Sequence, residues 1–329
     1  MRENSYDIVV IGAGPAGLSV GIEASKNNLS CLIVDRGSVV NTIRRYPTYA
    51  VFFSTAELLE LDRIPFPAIN KQPTRHEALK YYNKVADYFN LNFSLYTNVE
   101  GIARNEFGFT LTTSKGEILA KNLVVAIGYY EKHNYLNVPG ESLSNVQHFY
   151  TEPFAYARQK VTVVGGSNSA GEAALDLFRN GAEVTLVHRG SELYPRMKYW
   201  VKPDLENRIK EGSIKAYFNA TVAEIKADKV LINAADGKHE IPTDHVLALI
   251  GYHPDVEFLK DAGVEFDTET YIPSFNLETL ESNVPNLYLA GTVLAGKNTG
   301  KIFIENSRHH GKQIVDAIWA LSKKAISSP

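Results

Sequence analysis

Cysteine is nearly absent: Cys31 is the single thiol in 329 residues. One thiol excludes an internal disulfide, a Cys-x-x-Cys redox pair and any metal site built on several cysteines. Cys31 lies in LSCLIVD, whose composition predicts a buried strand in which a thiol is inert packing. Long apolar runs are also missing, since LVVAIG and VLALIG fall far short of the roughly 20 residues that span a bilayer. Neither sign of charge is in excess. Thirty-four Lys and Arg against 37 Asp and Glu leave a net charge of −3, which gives no footprint for nucleic acid or an anionic membrane. The start, MRENSYDIVVIGAG, lacks the basic, apolar and small-residue layout of a signal peptide. A soluble cytoplasmic protein is expected, and no His or carboxylate spacing fits a metal site.

Glycine-rich turns, by contrast, occur twice. Tyr6 to Ile11 reads as a buried parallel strand, Leu18 to Asn28 as a helix and Ser30 to Asp35 as the next strand, a βαβ unit. A helix over Thr74 to Phe89 follows. Paired strands come next at Phe93 to Ala103, Phe107 to Ser114 and Glu117 to Lys121, and a buried strand at Leu123 to Gly128. The pattern then repeats. Lys160 to Val164, Ser169 to Asn180 and Glu183 to His188 form a second βαβ unit, followed by strands at Ile214 to Ala220, Val222 to Lys226, Lys229 to Asn233 and Asp244 to Gly251. Leu287 to Ala290 reads as one more strand and Phe303 to Leu321 as an amphipathic helix. The expected class is α/β: two Rossmann-like, three-layer ββα dinucleotide-binding domains, the second inserted into the first. Residues 1–130 and 250–329 make the outer domain and 131–249 the inserted one, joined through the linker-like GYYEKHN and GYHPD.

The chemistry of the turns differs. In the first, Gly12 makes the tight turn, Gly14 lets a pyrophosphate approach the backbone and Gly17 permits close helix–strand packing. Pro15 and Ala16, between Gly14 and Gly17, are further cofactor-binding candidates, and the N-terminal N–H groups of the helix that follows face the phosphates. Asp35, eighteen residues past Gly17, ends the second strand where an acid accepts from a ribose diol. In the second turn, Gly165 and Gly166 are followed by Ser167, Asn168, Ser169 and the small Ala170. Ser167 replaces the glycine that faces the pyrophosphate and adds a hydroxyl that can itself donate. The next strand ends in His188 and Arg189, which favour a 2′-phosphate where an acid would repel it. Arg196 and Lys198 are further cations in reach. Two nucleotide sites on one chain suit hydride transfer between a nicotinamide and a flavin, so FAD is expected in the outer domain and NADPH in the inserted one.

Through GAGPAGL, YPTYAVFFSTAELLE, AIGYYEKHNYLNVPGE, HFYTEPFAYARQKVTVVGGSNSAGEAALDL and IFIENSRHHG, the chain resembles the flavin-dependent thioredoxin-reductase-like proteins over nearly its whole length. Within them it is most similar to the bacillithiol-disulfide reductase family. The resemblance implies reduction of a low-molecular-weight thiol disulfide, and commonly a homodimer. It also implies that Phe52, Phe53, Ser54 and Thr55 line the flavin ring, with further cofactor contacts at Val99, Gly128 and Gly251. Lys301 and Ile302, at the start of the last helix, would put a cation and a backbone N–H near the flavin's pyrimidine edge. Three departures stand out. His148 and Thr151 occupy the positions of the Cys-x-x-Cys pair of thioredoxin reductases, which excludes thioredoxin reduction through that relay. Ala16 sits where bacillithiol-disulfide reductases typically carry a cysteine. Gly291 and Thr292 replace a Gly-Asp pair that contacts the ribityl chain. No catalytic residue is assignable. His148, His309 and His310 read as packing or capping residues before acid–base ones. Other acceptors fit the same frame: ferredoxin or flavodoxin through a cysteine-independent route, oxygen in a flavin monooxygenase, or none in a redox sensor.

Overall fold

The computed structural model describes residues 4–298 and 300–327, with side chains as far as Leu321. It divides into a first unit, Met1–Arg45, Ala50–Lys132 and Tyr252–Pro329, and a second, Tyr46–Tyr49 and His133–Gly251.

In the first unit β1 (Ser5–Ile11) enters a Gly-rich turn, α1 (Pro15–Lys26) leaves it and β2 (Cys31–Asp35) returns parallel to β1. Ile8, Val9, Val10, Leu18 and Val34 are fully buried, as expected of strands and a helix face covered on both sides. α2 (Arg75–Tyr88) opens on a complete capping box: Thr74 accepts from the Glu77 N–H, and Glu77 accepts from the Thr74 N–H at 2.7 Å. The expected strand Phe93 to Ala103 is two strands. β3 (Phe93–Leu95) runs parallel to β2, whereas β4 (Val99–Asn105) is antiparallel to β5 (Gly108–Thr113). Tyr96 separates them at φ +53, in the left-handed region.

The opposite error concerns β6 (Gly116–Val125), one strand of ten residues where two were expected. Its first half pairs antiparallel with β5, and its last three residues pair parallel with the strand Leu287–Leu289. β1 lies along its other edge. One strand thus belongs to both the meander and the parallel layer, and no turn residue breaks it.

The second unit repeats the plan with a break. β7 (Val146–Gln147), β8 (Lys160–Val164), α3 (Asn168–Arg179), β9 (Glu183–Val187), α4 (Lys202–Lys210) and β10 (Lys215–Tyr217) lead into a separate sheet of β11 (Thr221–Ile225), β12 (Lys229–Ala234) and β13 (Gly237–Pro242). β14 (His245–Ala248) then completes the parallel sheet, in the order β10-β9-β8-β14-β7. α4 and β13 had no expectation. Here the strand is cut after Pro242, where Thr243 turns inward to hydrogen-bond Thr162 at 2.6 Å and Asp244 accepts from the Lys160 N–H.

Returning to the first unit, β15 (Leu287–Leu289) completes the parallel layer. The expected last helix is interrupted. α5 (Ile304–Ser307) is a single turn, and α6 (His310–Ser327) begins afresh. α6 crosses α1 at Gly311, where a Cβ would lie 2.3 Å from the Ser19 backbone. Among the described residues no helix is long and apolar enough to cross a membrane.

Candidate functional site

Each unit carries a Gly-rich turn at the carboxyl end of a parallel strand, β1 in the first and β8 in the second. In the first unit the three glycines have distinct surroundings. Gly12 holds φ +113, and a Cβ there would lie 2.4 Å from the Ala126 oxygen; at Gly17 it would lie 1.9 Å from the Gly12 oxygen. Both positions are closed to any side chain. At Gly14 a Cβ would meet nothing within 4 Å. That glycine is therefore not required by the protein's own packing, and the space beside it is open.

The helix starts agree. α1 begins at Pro15 with Gly14 as its N-cap, no capping side chain and no acid in its first turn. Its first N–H groups are left for an external partner. α3 begins likewise, with Ser167 at the N-cap making no capping bond. The contrast is α2, fully capped by Thr74 and Glu77.

Asp35 closes the first site. One carboxylate oxygen accepts from the Ala13 N–H at 2.8 Å and the other from the Gly37 N–H at 2.7 Å. Burial raises its pKa above 3.8, and the two backbone bonds partly offset that. Each oxygen retains a lone pair for a further donor such as a ribose hydroxyl. Around the same end of the sheet, Gly291 (φ +84) approaches Ala16, a Cβ there falling 2.9 Å from the Ala16 methyl. Thr292 Oγ1 lies 3.4 Å from the Cβ position of Gly128 (φ +71). Ala16, Gly128, Gly291 and Thr292 thus share one rim.

Other expected residues are placed differently. Val99 opens β4, opposite Thr113. Phe52 donates its N–H to Pro73, Phe53 is exposed, Ser54 is buried, and Thr55 starts a four-residue helical turn. That segment is held by Arg308, which donates to the carbonyls of Glu57 and Glu60. Lys301 is exposed, and Ile302 precedes only the single turn of α5. The expectation that both sit at the start of a long helix is corrected: one turn has too few aligned peptides for a useful dipole.

In the second unit Gly165 holds φ +144, with the Leu249 oxygen 2.5 Å from a Cβ position. Gly166 is constrained by a side chain: a Cβ there would overlap the His188 ring at 2.3 Å, and one at Gly190 would lie 2.7 Å from the same ring. The imidazole is thus sandwiched between two glycines, a contact that spacing along the chain does not reveal. Burial holds His188 below its usual 6.5. The Asn168 side-chain oxygen accepts from the Lys198 N–H at 2.8 Å, tying the Lys198 loop to the start of α3. Ser169 is exposed and Ala170 buried against Gly165. Lys198 pairs with Glu172, which removes it as a spare cation. Arg189 and Arg196 are exposed, and neither has an ion pair among the described residues. Gly251 (φ +101) closes the unit, its carbonyl accepting from the Asn134 N–H at 3.0 Å.

Thiol and histidine chemistry is muted. Burial pushes the Cys31 thiol up to about 12. His148 stacks on His133 with ring centroids 3.8 Å apart, and burial lowers its pKa. Among the described residues no cluster of three or more His, Cys, Asp or Glu could hold a metal.

With this geometry in hand, a family model described as pyridine nucleotide-disulphide oxidoreductase matches residues 9–291. The chain belongs to this family. It is 40% identical over 314 residues to the bacilliredoxin reductase Bdr of Bacillus subtilis (strain 168), covering 94% of this chain and 96% of that protein. The solved bacillithiol disulfide reductase Bdr (YpdA) from Staphylococcus aureus matches with a TM-score of 0.94 and 37% identity, over 97% of this chain and 99% of that one. The thioredoxin reductase of T. acidophilum, 23% identical with a TM-score of 0.75 over 98% of this chain and 100% of that one, shares the fold. The chain is a thioredoxin-reductase-like flavin oxidoreductase that also uses a nicotinamide cofactor.

Proposed function

We propose that the chain binds FAD at the first turn and NADPH at the second, and uses them to reduce a low-molecular-weight thiol disulfide of the bacillithiol type. NADPH, a proton and one disulfide are consumed; NADP+ and two thiols are formed. The observation that carries this reading is the pair of uncapped Gly-rich helices, with Asp35 accepting from the first turn and Arg189 exposed just past the strand beside the second. Flavin bound at the first turn supplies a ring able to take up hydride and release electrons singly or in pairs. The chain's own contribution is binding and orientation. Gly14 admits the pyrophosphate, the start of α1 holds it, and Asp35 accepts from the ribose. In the second unit Ser167 and the N–H groups of α3 take the other pyrophosphate, while Arg189 and Arg196 suit a 2′-phosphate. The substrate class rests on the likeness to the Bacillus subtilis and Staphylococcus aureus proteins.

The test is anaerobic. Purified protein should carry a flavin spectrum that NADPH bleaches and bacillithiol disulfide restores, with NADH markedly less effective. A preparation that cannot take up FAD would overturn the reading.

A second reading, NADPH-dependent reduction of ferredoxin or flavodoxin, is favoured by one observation: position 16 is alanine, and the sole thiol is held near 12. Such a route needs no mixed disulfide. Reoxidation by flavodoxin but not by bacillithiol disulfide would select it.

A further inference from the structure

The turn after β15 is held by an unusual partner. Gly291 is buried at φ +84, and its N–H donates to Nδ1 of His310, nineteen residues away, at 3.1 Å. Without that nitrogen the N–H would be an unpaired buried donor. The next residue fastens the opposite wall. Gly311 donates its N–H to Ser19 Oγ at 3.2 Å, and Ser19 donates in turn to the Ala16 carbonyl at 2.7 Å. Two consecutive residues at the start of α6 therefore grip the two sides of one rim: the Gly291–Thr292 turn and the first turn of α1.

We propose that His310 is a positioning residue of the first site: by accepting from the Gly291 N–H, it sets the Gly291–Thr292 turn against Ala16 and thereby the affinity of that site for flavin. The inference rests on the flavin reading of the first turn. The role needs an unprotonated Nδ1, and burial, with His309 alongside, lowers His310 to about 4. The ring is neutral at physiological pH with its proton on Nε2.

Asparagine at 310 keeps an oxygen near the place of Nδ1, whereas leucine fills the space without an acceptor. FAD binding to deflavinated protein, followed by quenching of flavin fluorescence, should weaken about tenfold in His310→Leu and change less than about twofold in His310→Asn. NADP+ affinity should move in neither. Imidazole 15N shifts should show Nδ1 unprotonated at neutral pH. The inference is overturned if the leucine variant binds FAD like wild type, if asparagine is as weak as leucine, or if Nδ1 carries the proton. Failure of the wild-type protein to bind FAD would instead sink the flavin reading, and the 15N shifts would still test the Gly291 contact. If the leucine variant does not fold, asparagine decides alone: near-native affinity supports the role, and a tenfold loss removes it.

Discussion

The two Gly-rich turns share a plan and differ at the pyrophosphate-facing position, Gly14 in the first and Ser167 in the second, and in the residue before it, Ala13 in the first and Gly166 in the second. The space beside Gly14 is open and an acid, Asp35, closes the strand end; Gly166 packs against the His188 ring, with the next residue, Arg189, exposed. Glycine at 14 is thus not required by the protein's own packing, whereas at 166 it is. On the proposed reading one motif accommodates two nucleotides: the helix start would supply the same N–H groups in each, and the strand end would select what sits on the ribose.

The comparison can be broken most severely at the tight-turn glycines. Gly12→Ala forces a Cβ against the Ala126 carbonyl at a φ alanine resists. We expect colourless protein with NADP+ binding retained, read from the flavin-to-protein absorbance ratio and nucleotide titration. Gly165→Ala should do the reverse. Next in size is the strand end. Arg189→Glu should lower kcat/KM for NADPH by about a hundredfold and leave NADH nearly unchanged, as expected for a cation lost from a 2′-phosphate.

Gly14 and Gly166, which occupy different positions of the motif, sharpen the contrast. Gly14→Ala should weaken FAD by at least about tenfold while the unfolding midpoint of the deflavinated protein stays within about 2 °C. Gly166→Ala should lower that midpoint by about 3–8 °C because the His188 ring must move. Equal behaviour of the two alanine variants would remove the distinction.

The smallest effect is in pH. His188 is held below 6.5, so its contribution is complete above that value and is lost as pH falls through its folded pKa. Asp35 is raised above 3.8, so its contribution has the opposite sign: present at low pH and lost as pH rises through its folded pKa. Unfolding midpoints of deflavinated protein between pH 7 and pH 4 should therefore fall less steeply in His188→Gln and more steeply in Asp35→Asn.

The βαβ units were legible because strand, glycines and helix follow one another locally. Lys160–Val164 and Cys31–Asp35 lie within a residue of expectation for that reason. What failed depended on partners far along the chain. The continuity of Gly116–Val125 is set by β15, more than 150 residues on. The break before His310 places that side chain on Gly291, which no periodicity in IFIENSRHHG foretells. The Lys198 loop looked basic in sequence, yet its lysine is neutralised by Glu172 from the neighbouring helix. The His188 sandwich likewise needs a crossover, since Gly166 meets the ring only after β9 has returned alongside β8.

The central claim is that one polypeptide holds both a flavin and a nicotinamide nucleotide and passes hydride between them. Anaerobic titration of FAD-loaded protein with NADPH, followed at the visible flavin band, tests it most directly. The account predicts full bleaching by one equivalent of NADPH per flavin and a far slower response to NADH. A band that persists under excess NADPH would contradict it.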